Sequence, residues 1–248
     1  MSDEIIIGKN PVLEALSSGR SVNKVFVAEH LNPNTVKKIK QLAKEAGTIV
    51  QHVPKAKLDS ISNGNHQGIV AYVASYDYGN LEDLFVRAEQ RGEDPFFIIL
   101  DELEDPHNLG SILRTADATG VHGVIIPKRR SVGLTATVAK TAAGAIEHIP
   151  VVRVTNIADT IDELKERHVW VVGTEGEATE DYRRLDGTMP IAVVIGNEGK
   201  GISRLVRKKC DWTVRIPMSG EVSSLNASVA CSLLLYEIYR KRTPLGES

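Results

Sequence analysis

The chain has 248 residues, with 30 Lys+Arg against 32 Asp+Glu and a formal net charge of −2. Apolar residues make up 42% and charged residues 25%, a balance that excludes a mainly disordered or fibrous chain and allows one large domain or two modest ones. No apolar run approaches the ~20 residues of a membrane span. The first residues are acidic, and Cys210 and Cys231 are too isolated for a disulfide framework or a zinc site, so a cytoplasmic protein in a reducing compartment is expected.

The charge is unevenly spread. Residues 1–75 carry net +3, 76–100 net −4, 101–200 net −5 and 201–248 net +4. Basic ends permit contact with a polyanion without requiring it. Residues 5–75 read as a small α/β unit. Asn10-Pro11 leads a helix that ends near Gly19, and residues 24–28 (KVFVA) form a strand. Asn32-Pro33 opens a helix through Ala46, closed by Gly47. Residues 48–53 form a strand, 55–61 a short helix and 68–74 a strand. Residues 76–95 read as an acidic linker with a helix over 81–91, between two breaker clusters.

From residue 96 strands and helices alternate, which predicts a parallel sheet covered on both faces. Strands are expected at 96–100, 123–126, 148–153, 169–173, 191–196 and 212–216. Helices are expected at 107–119, 134–143, 157–167 and 224–240. The strand FFIIL at 96–100 lacks polar alternation and so is buried on both faces.

Three segments hold polar residues that packing alone does not require. Residues 101–116 (DELEDPHNLGSILRTA) follow the carboxyl end of a buried strand, where open parallel sheets place their sites. There Asn108 is a candidate N-cap, and Ser111 and Arg114 share a helix face. Residues 195–203 (IGNEGKGIS) place Asn197 and Glu198 between glycines at a strand end. The glycine spacing fits neither a P-loop nor a dinucleotide fingerprint. Residues 215–230 (RIPMSGEVSSLNASVA) pass from a strand through a Pro/Gly loop into a helix of small residues. Ser224, Asn226 and Ser228 suit a helix N-terminus, and together they suggest a polar pocket. The basic runs 128–130 and 207–209 read as solvated surface, and His66-Gln67-Gly68 as a turn before a strand or an RNA contact.

In this order the three segments resemble the SpoU (TrmH-type) family of RNA ribose 2′-O-methyltransferases, over residues 96–240. His66-Gln67-Gly68-Ile69 is similar to the end of the RNA-binding domain of its RlmB-like branch. The resemblance implies a domain order of 1–75 RNA substrate-binding domain, 76–95 linker and 96–248 methyltransferase domain. It implies a parallel α/β sheet with a C-terminal trefoil knot, S-adenosylmethionine as cofactor, and a homodimer with the last helix at its interface. No metal is expected, because no His/Asp/Glu set has metal-ligand spacing. Asn108, Arg114, Glu198, Ser224 and Asn226 match the family's catalytic set. Thr174, Gly196, Asn197, Ile216, Met218 and Leu225 match its cofactor contacts, with Gly173 beside Thr174. The implied reaction is 2′-O-methylation of a guanosine in 23S rRNA. A tRNA methyltransferase and a non-catalytic RNA-binding ribosome-assembly factor are the alternatives.

Overall fold

The computed structural model describes residues 4–62, 64–222 and 224–245. It divides into two compact units, residues 1–77 with 133–139, and residues 78–132 with 140–248.

The first unit is built from β1 (Ile5–Ile7), α1 (Lys9–Ser17), β2 (Val22–Ala28), α2 (Pro33–Glu45), β3 (Ile49–Val53), α3 (Lys55–Ile61) and β4 (Ile69–Val73). Its sheet has the order β1-β4-β2-β3, with β2 and β3 parallel and the β4 pairings antiparallel. Val12, Leu16, Val25, Val27, Ile39 and Ile69 form its core. His66 is buried in the turn before β4: Nδ1 accepts the Gly68 N–H at 3.0 Å, so the ring proton sits on Nε2, which meets Asp59 Oδ1 at 2.8 Å. His66 thus shapes this turn.

The second unit runs α4 (Leu81–Arg91), β5 (Phe96–Leu100), α5 (Pro106–Ala118), β6 (Gly123–Pro127), α6 (Ala136–Ala142, whose first residues belong to the other unit), β7 (Val151–Val154), α7 (Ile157–Glu166), β8 (Trp170–Thr174), β9 (Glu180–Asp181), β10 (Ile191–Ile195), α8 (Arg204–Lys209), β11 (Trp212–Arg215) and α9 (Ala227–Arg242). Its sheet has the order β7-β6-β5-β10-β8-β11-β9, and every pairing is parallel. Every residue of β5 and β10 is buried, as the unbroken apolar runs require. On one face Phe97, Ile99, Val171, Ala192 and Val194 pack with Leu84 of α4, Ile161 and Leu164 of α7 and Val206 of α8. Phe96 points to the other face by strand alternation, with the Arg242 guanidinium 5.0 Å above its ring.

The helix inside residues 76–95 is therefore a core element of the second unit. A capping box between Asn80 and Asp83 starts α4, and Gly92 in the left-handed region ends it. Leu84 is fully buried, so close to Gly123 that a Cβ there would lie 2.1 Å from Leu84 Cδ2. Leu84→Ala is expected to destabilise this unit by about 2–5 kcal/mol in urea unfolding. A change under about 1 kcal/mol would show that residues 81–91 only connect.

Two helix starts differ from expectation. Asp105, not Asn108, caps α5: its Oδ1 accepts the His107 N–H at 2.8 Å, with Pro106 in the first turn. Asn108 lies inside the helix, which frees its side chain. The last helix starts at Ala227 rather than Ser224, because Asn226 takes the cap position and accepts from Ser228 N and Val229 N. β1, β9 and α8 were not foreseen. No helix among the described residues is long and apolar enough to cross a membrane.

Candidate active site

In a parallel sheet the loops after the strands all leave from one edge. Here the chain builds outward from β5 through β6 to β7, then returns to the other side through β8, β10 and β11. The direction reverses between β5 and β10, and open α/β sheets open a crevice at such a point. The loops following β5, β8, β10 and β11 meet there.

A cleft of ≈ 730 Å³ lies among these loops, lined by Thr174, Gly196, Asn197, Glu198, Ile216, Met218, Ser224 and Leu225 among others. Gly196 is buried because the chain folds tightly back on it. Asn197 N donates to Gly201 O at 3.0 Å and Gly201 N to Asn197 O at 2.8 Å. The Asn197 side chain completes the turn: Oδ1 accepts from Gly199 N (3.0 Å) and Lys200 N (3.3 Å), and Nδ2 donates to Glu102 O (3.2 Å). Turn chemistry thus accounts for Asn197, whose amide is spent on the loop.

Glu198 does something else. Its Oε1 accepts from Asn108 Nδ2 at 2.9 Å, Asn226 Nδ2 at 2.5 Å and Ala227 N at 3.1 Å. Asn226 Nδ2 also donates to Asn108 Oδ1 at 2.9 Å. Asn226 can be held only one way round, since its Oδ1 caps α9 while its Nδ2 faces the carboxylate. The carboxylate sits at the positive end of α9, where negative charge is favoured. Three segments, 90 and 28 positions apart, are thereby pinned at the rim of one cleft. Glu198→Gln keeps the shape but removes the charge and one acceptor. It is expected to weaken cofactor binding about tenfold in calorimetry, with unfolding stability lowered by about 1–2 kcal/mol. Unchanged binding and stability would mean that the trio is incidental.

Arg114 is not joined to this trio. Six residues past Asn108 on α5, it lies roughly 120° around the helix. It is exposed and makes no hydrogen bond or ion pair among the described residues, so Glu198 and the two asparagines neither pair with nor orient it within this chain. Leu109, Ile112, Leu113 and Ala116 fill the buried side of α5, as their spacing predicts. Thr174 lines the cleft with its Oγ1 bonded to Val194 O at 2.9 Å. Gly173 does not: a Cβ there would meet Ile202 Cδ1 at 2.9 Å, on the core side of the sheet, since neighbours along a strand face opposite ways. Ser223, between the cleft residues Val222 and Ser224, lies outside the described residues.

Three contributors were missed by reading the sequence. Asp101 is buried and accepts the Ser203 N–H at 2.7 Å, tying the end of β5 to the far side of the β10 loop. Glu102 holds Asn197 through its carbonyl. Glu175 lines the cleft, with Oε1 bound to Arg207 at 2.7 Å and Oε2 buried without a hydrogen-bond partner among the described residues. An acid that ends an apolar strand, as Asp101 does, is a signal visible in the sequence. Among the described residues no cluster of His, Cys, Asp and Glu could hold a metal ion.

The cleft suits an adenosine-bearing cofactor. Its volume falls within the ~300–1,000 Å³ of small-molecule sites. It offers apolar walls, exposed loop backbone and one orphan carboxylate oxygen for a donor. Residues 95–236 match the family model described as the SpoU rRNA Methylase family, and residues 5–79 match that for RNA 2′-O ribose methyltransferase substrate binding. The chain is 59% identical over 244 residues to YacO of Bacillus subtilis, named for the TrmH family of tRNA/rRNA methyltransferases, covering 98% of each. Among solved structures it is similar to the SpoU methyltransferase AviRb of Streptomyces viridochromogenes in complex with AdoMet (TM-score 0.62, 29% identity, 97% and 91% coverage). It is also similar to an AdoMet-bound rRNA methyltransferase of Sinorhizobium meliloti (TM-score 0.60, 26% identity, 95% and 86% coverage). The chain belongs to the SpoU (TrmH) family of S-adenosylmethionine-dependent RNA methyltransferases.

Proposed function

We propose that this enzyme methylates a ribose 2′-oxygen of RNA, with a guanosine of 23S rRNA as target. The observation that carries the reading is the Asn108–Glu198–Asn226 trio, which sets polar groups of α5, the β10 loop and the start of α9 at the mouth of a cofactor-sized cleft. The substrate-binding family model over residues 5–79 and the rRNA methyltransferase of Sinorhizobium meliloti support it. A tRNA target is the second reading, favoured by the name of YacO, which spans both RNAs.

Ile216, Met218 and Leu225 would form the apolar walls for S-adenosylmethionine, with Gly196, Asn197 and Thr174 along its backbone-lined side. Glu175 Oε2 would accept from a hydroxyl or amine. The bound cofactor supplies an electrophilic methyl group and its own leaving group. The protein must then position and activate a weak nucleophile. Arg114 brings a planar guanidinium, so it acts as a cation, stabilising charge on the ribose oxygen or gripping the adjacent phosphate. It meets the trio through the bound RNA. Ser224 offers a hydroxyl at the same rim, and the proton leaves through phosphate or water.

In this reading residues 1–75 bind the RNA, and residues 96–248, with α4 packed into their core, form the catalytic domain, working in the cytoplasm. The loops 196–203 and 216–226 would make the trefoil knot. A homodimer would bury the exposed Val229, Leu233 and Tyr236 of α9. The test is mass mapping of ribose methylation in rRNA and tRNA from cells lacking the gene. One missing 2′-O-methyl guanosine in 23S rRNA, restored by the wild type but not by Arg114→Ala, is expected. A mark missing only from tRNA would select the second reading, and no missing mark would contradict both.

A further inference from the structure

The loop after β6 carries Lys128-Arg129-Arg130, a basic run that the reading above leaves unused. It leaves the same edge of the sheet as the cleft loops, two strands from β10. Two bonds fasten it to the β5–α5 loop. Arg130 Nη1 meets Glu102 Oε1 at 2.7 Å, and Val132 N donates to Leu103 O at 2.9 Å. Glu102 in turn holds the cofactor loop, since its carbonyl accepts from Asn197 Nδ2. One residue therefore links the basic loop by its carboxylate and the cleft by its backbone.

The backbone at this link is unusual. Glu102 has φ 60° and Arg130 φ 54°, a region that side-chain-bearing residues rarely occupy. Two of the five non-glycine residues described with positive φ are thus ion-paired to each other. The Arg130 side chain is 75% exposed, and an exposed pair adds little stability. Its consequence is geometric: it fixes where the loop points. Strain held at a functional edge is a pattern from which function can be argued.

Lys128 and Arg129 are then left over. Arg129 is exposed, and neither side chain has a partner among the described residues. The nearby acids are largely committed: Glu102 to Arg130, and Asp105 to the start of α5. Glu104, exposed, is the remaining negative charge acting on Arg130. We propose that Lys128 and Arg129 form an arm that grips the phosphates of the RNA substrate, aimed at the catalytic edge by the Arg130–Glu102 clamp. Arg129 brings a planar fork that matches a phosphate, and Lys128 a point charge. The inference deepens the RNA-methylation reading and rests on it.

The test uses the full-length protein, a transcribed, unmodified 23S rRNA as probe, and RNA binding measured from 50 to 200 mM salt. Each lost phosphate contact lowers the salt slope by roughly 0.7–0.9. Lys128→Ala/Arg129→Ala should therefore bind RNA more weakly, and its gap from wild type should narrow about tenfold across that range. S-adenosylmethionine affinity should be unchanged, showing that the fold and cleft persist. Glu102→Gln separates clamp from simple charge. Removing a negative charge would tighten RNA binding if only net charge mattered, whereas loss of the clamp weakens it. An unchanged salt slope in the double variant, or tighter binding by Glu102→Gln, overturns the proposal while wild-type methylation still stands. A wild type that binds cofactor but methylates neither rRNA nor tRNA overturns both.

Discussion

Replacing Arg114 by Ala is expected to lower the rate of methyl transfer about 10²–10³-fold while leaving S-adenosylmethionine affinity within about twofold. Arg114 is exposed, free of partners among the described residues and outside the cleft lining, so neither fold nor cofactor site depends on it. All of its expected effect falls on the RNA side of the reaction. Arg114→Lys should recover little, because an ammonium keeps the charge but not the fork. Single-turnover assays with calorimetric cofactor titration separate the two effects. A variant that loses cofactor affinity in step with rate would give Arg114 a structural role instead.

Gly196→Ala should be the most damaging small change in the cleft. A Cβ at this position would lie 2.2 Å from Gly201 C, 2.4 Å from Gly201 O and 2.4 Å from Ile202 N. All three are backbone atoms, so no side chain can swing away to make room. The turn must open, breaking the paired bonds between Asn197 and Gly201 and moving Glu198 off its two asparagines. Loss of measurable cofactor binding is expected, with stability lowered by about 1–3 kcal/mol. Gly199→Ala is the matched control. Its Cβ would meet only Asn197 Oδ1, at an ordinary 3.6 Å, and it should bind cofactor nearly as the wild type does. Equal binding by both variants would contradict the steric account.

Most of the fold was written in local patterns. The bounds of α3, α4 and β5 follow directly from apolar spacing, capping residues and Pro/Gly breaks. What escaped was short or decided from a distance. β9 has two residues and exists only because β11 offers it an edge. α8 is a mainly polar six-residue helix anchored by one buried residue, Val206. Asn108 looked like a cap because it is the right residue type near a helix start, but Asp105-Pro106 holds the better position and wins. The site was half legible. Motif order pointed to loops that the fold brings together, and Gly196, Ile216, Met218, Ser224 and Leu225 line one cleft. That Glu198 would choose Asn108 and Asn226 over Arg114 was not legible, because the choice depends on helix phase and on bonds spanning up to 118 residues.

The central claim is ribose methylation, and the reaction product tests it most directly. Purified enzyme, S-adenosylmethionine carrying a labelled methyl group and unmodified 23S rRNA are combined, and the RNA is then hydrolysed in alkali. A methylated 2′-oxygen cannot attack the neighbouring phosphate, so label on ribose is recovered in an alkali-resistant dinucleotide. That dinucleotide is the predicted result, absent with Arg114→Ala. Label released in mononucleotides would mean methylation of a base, and would contradict the account.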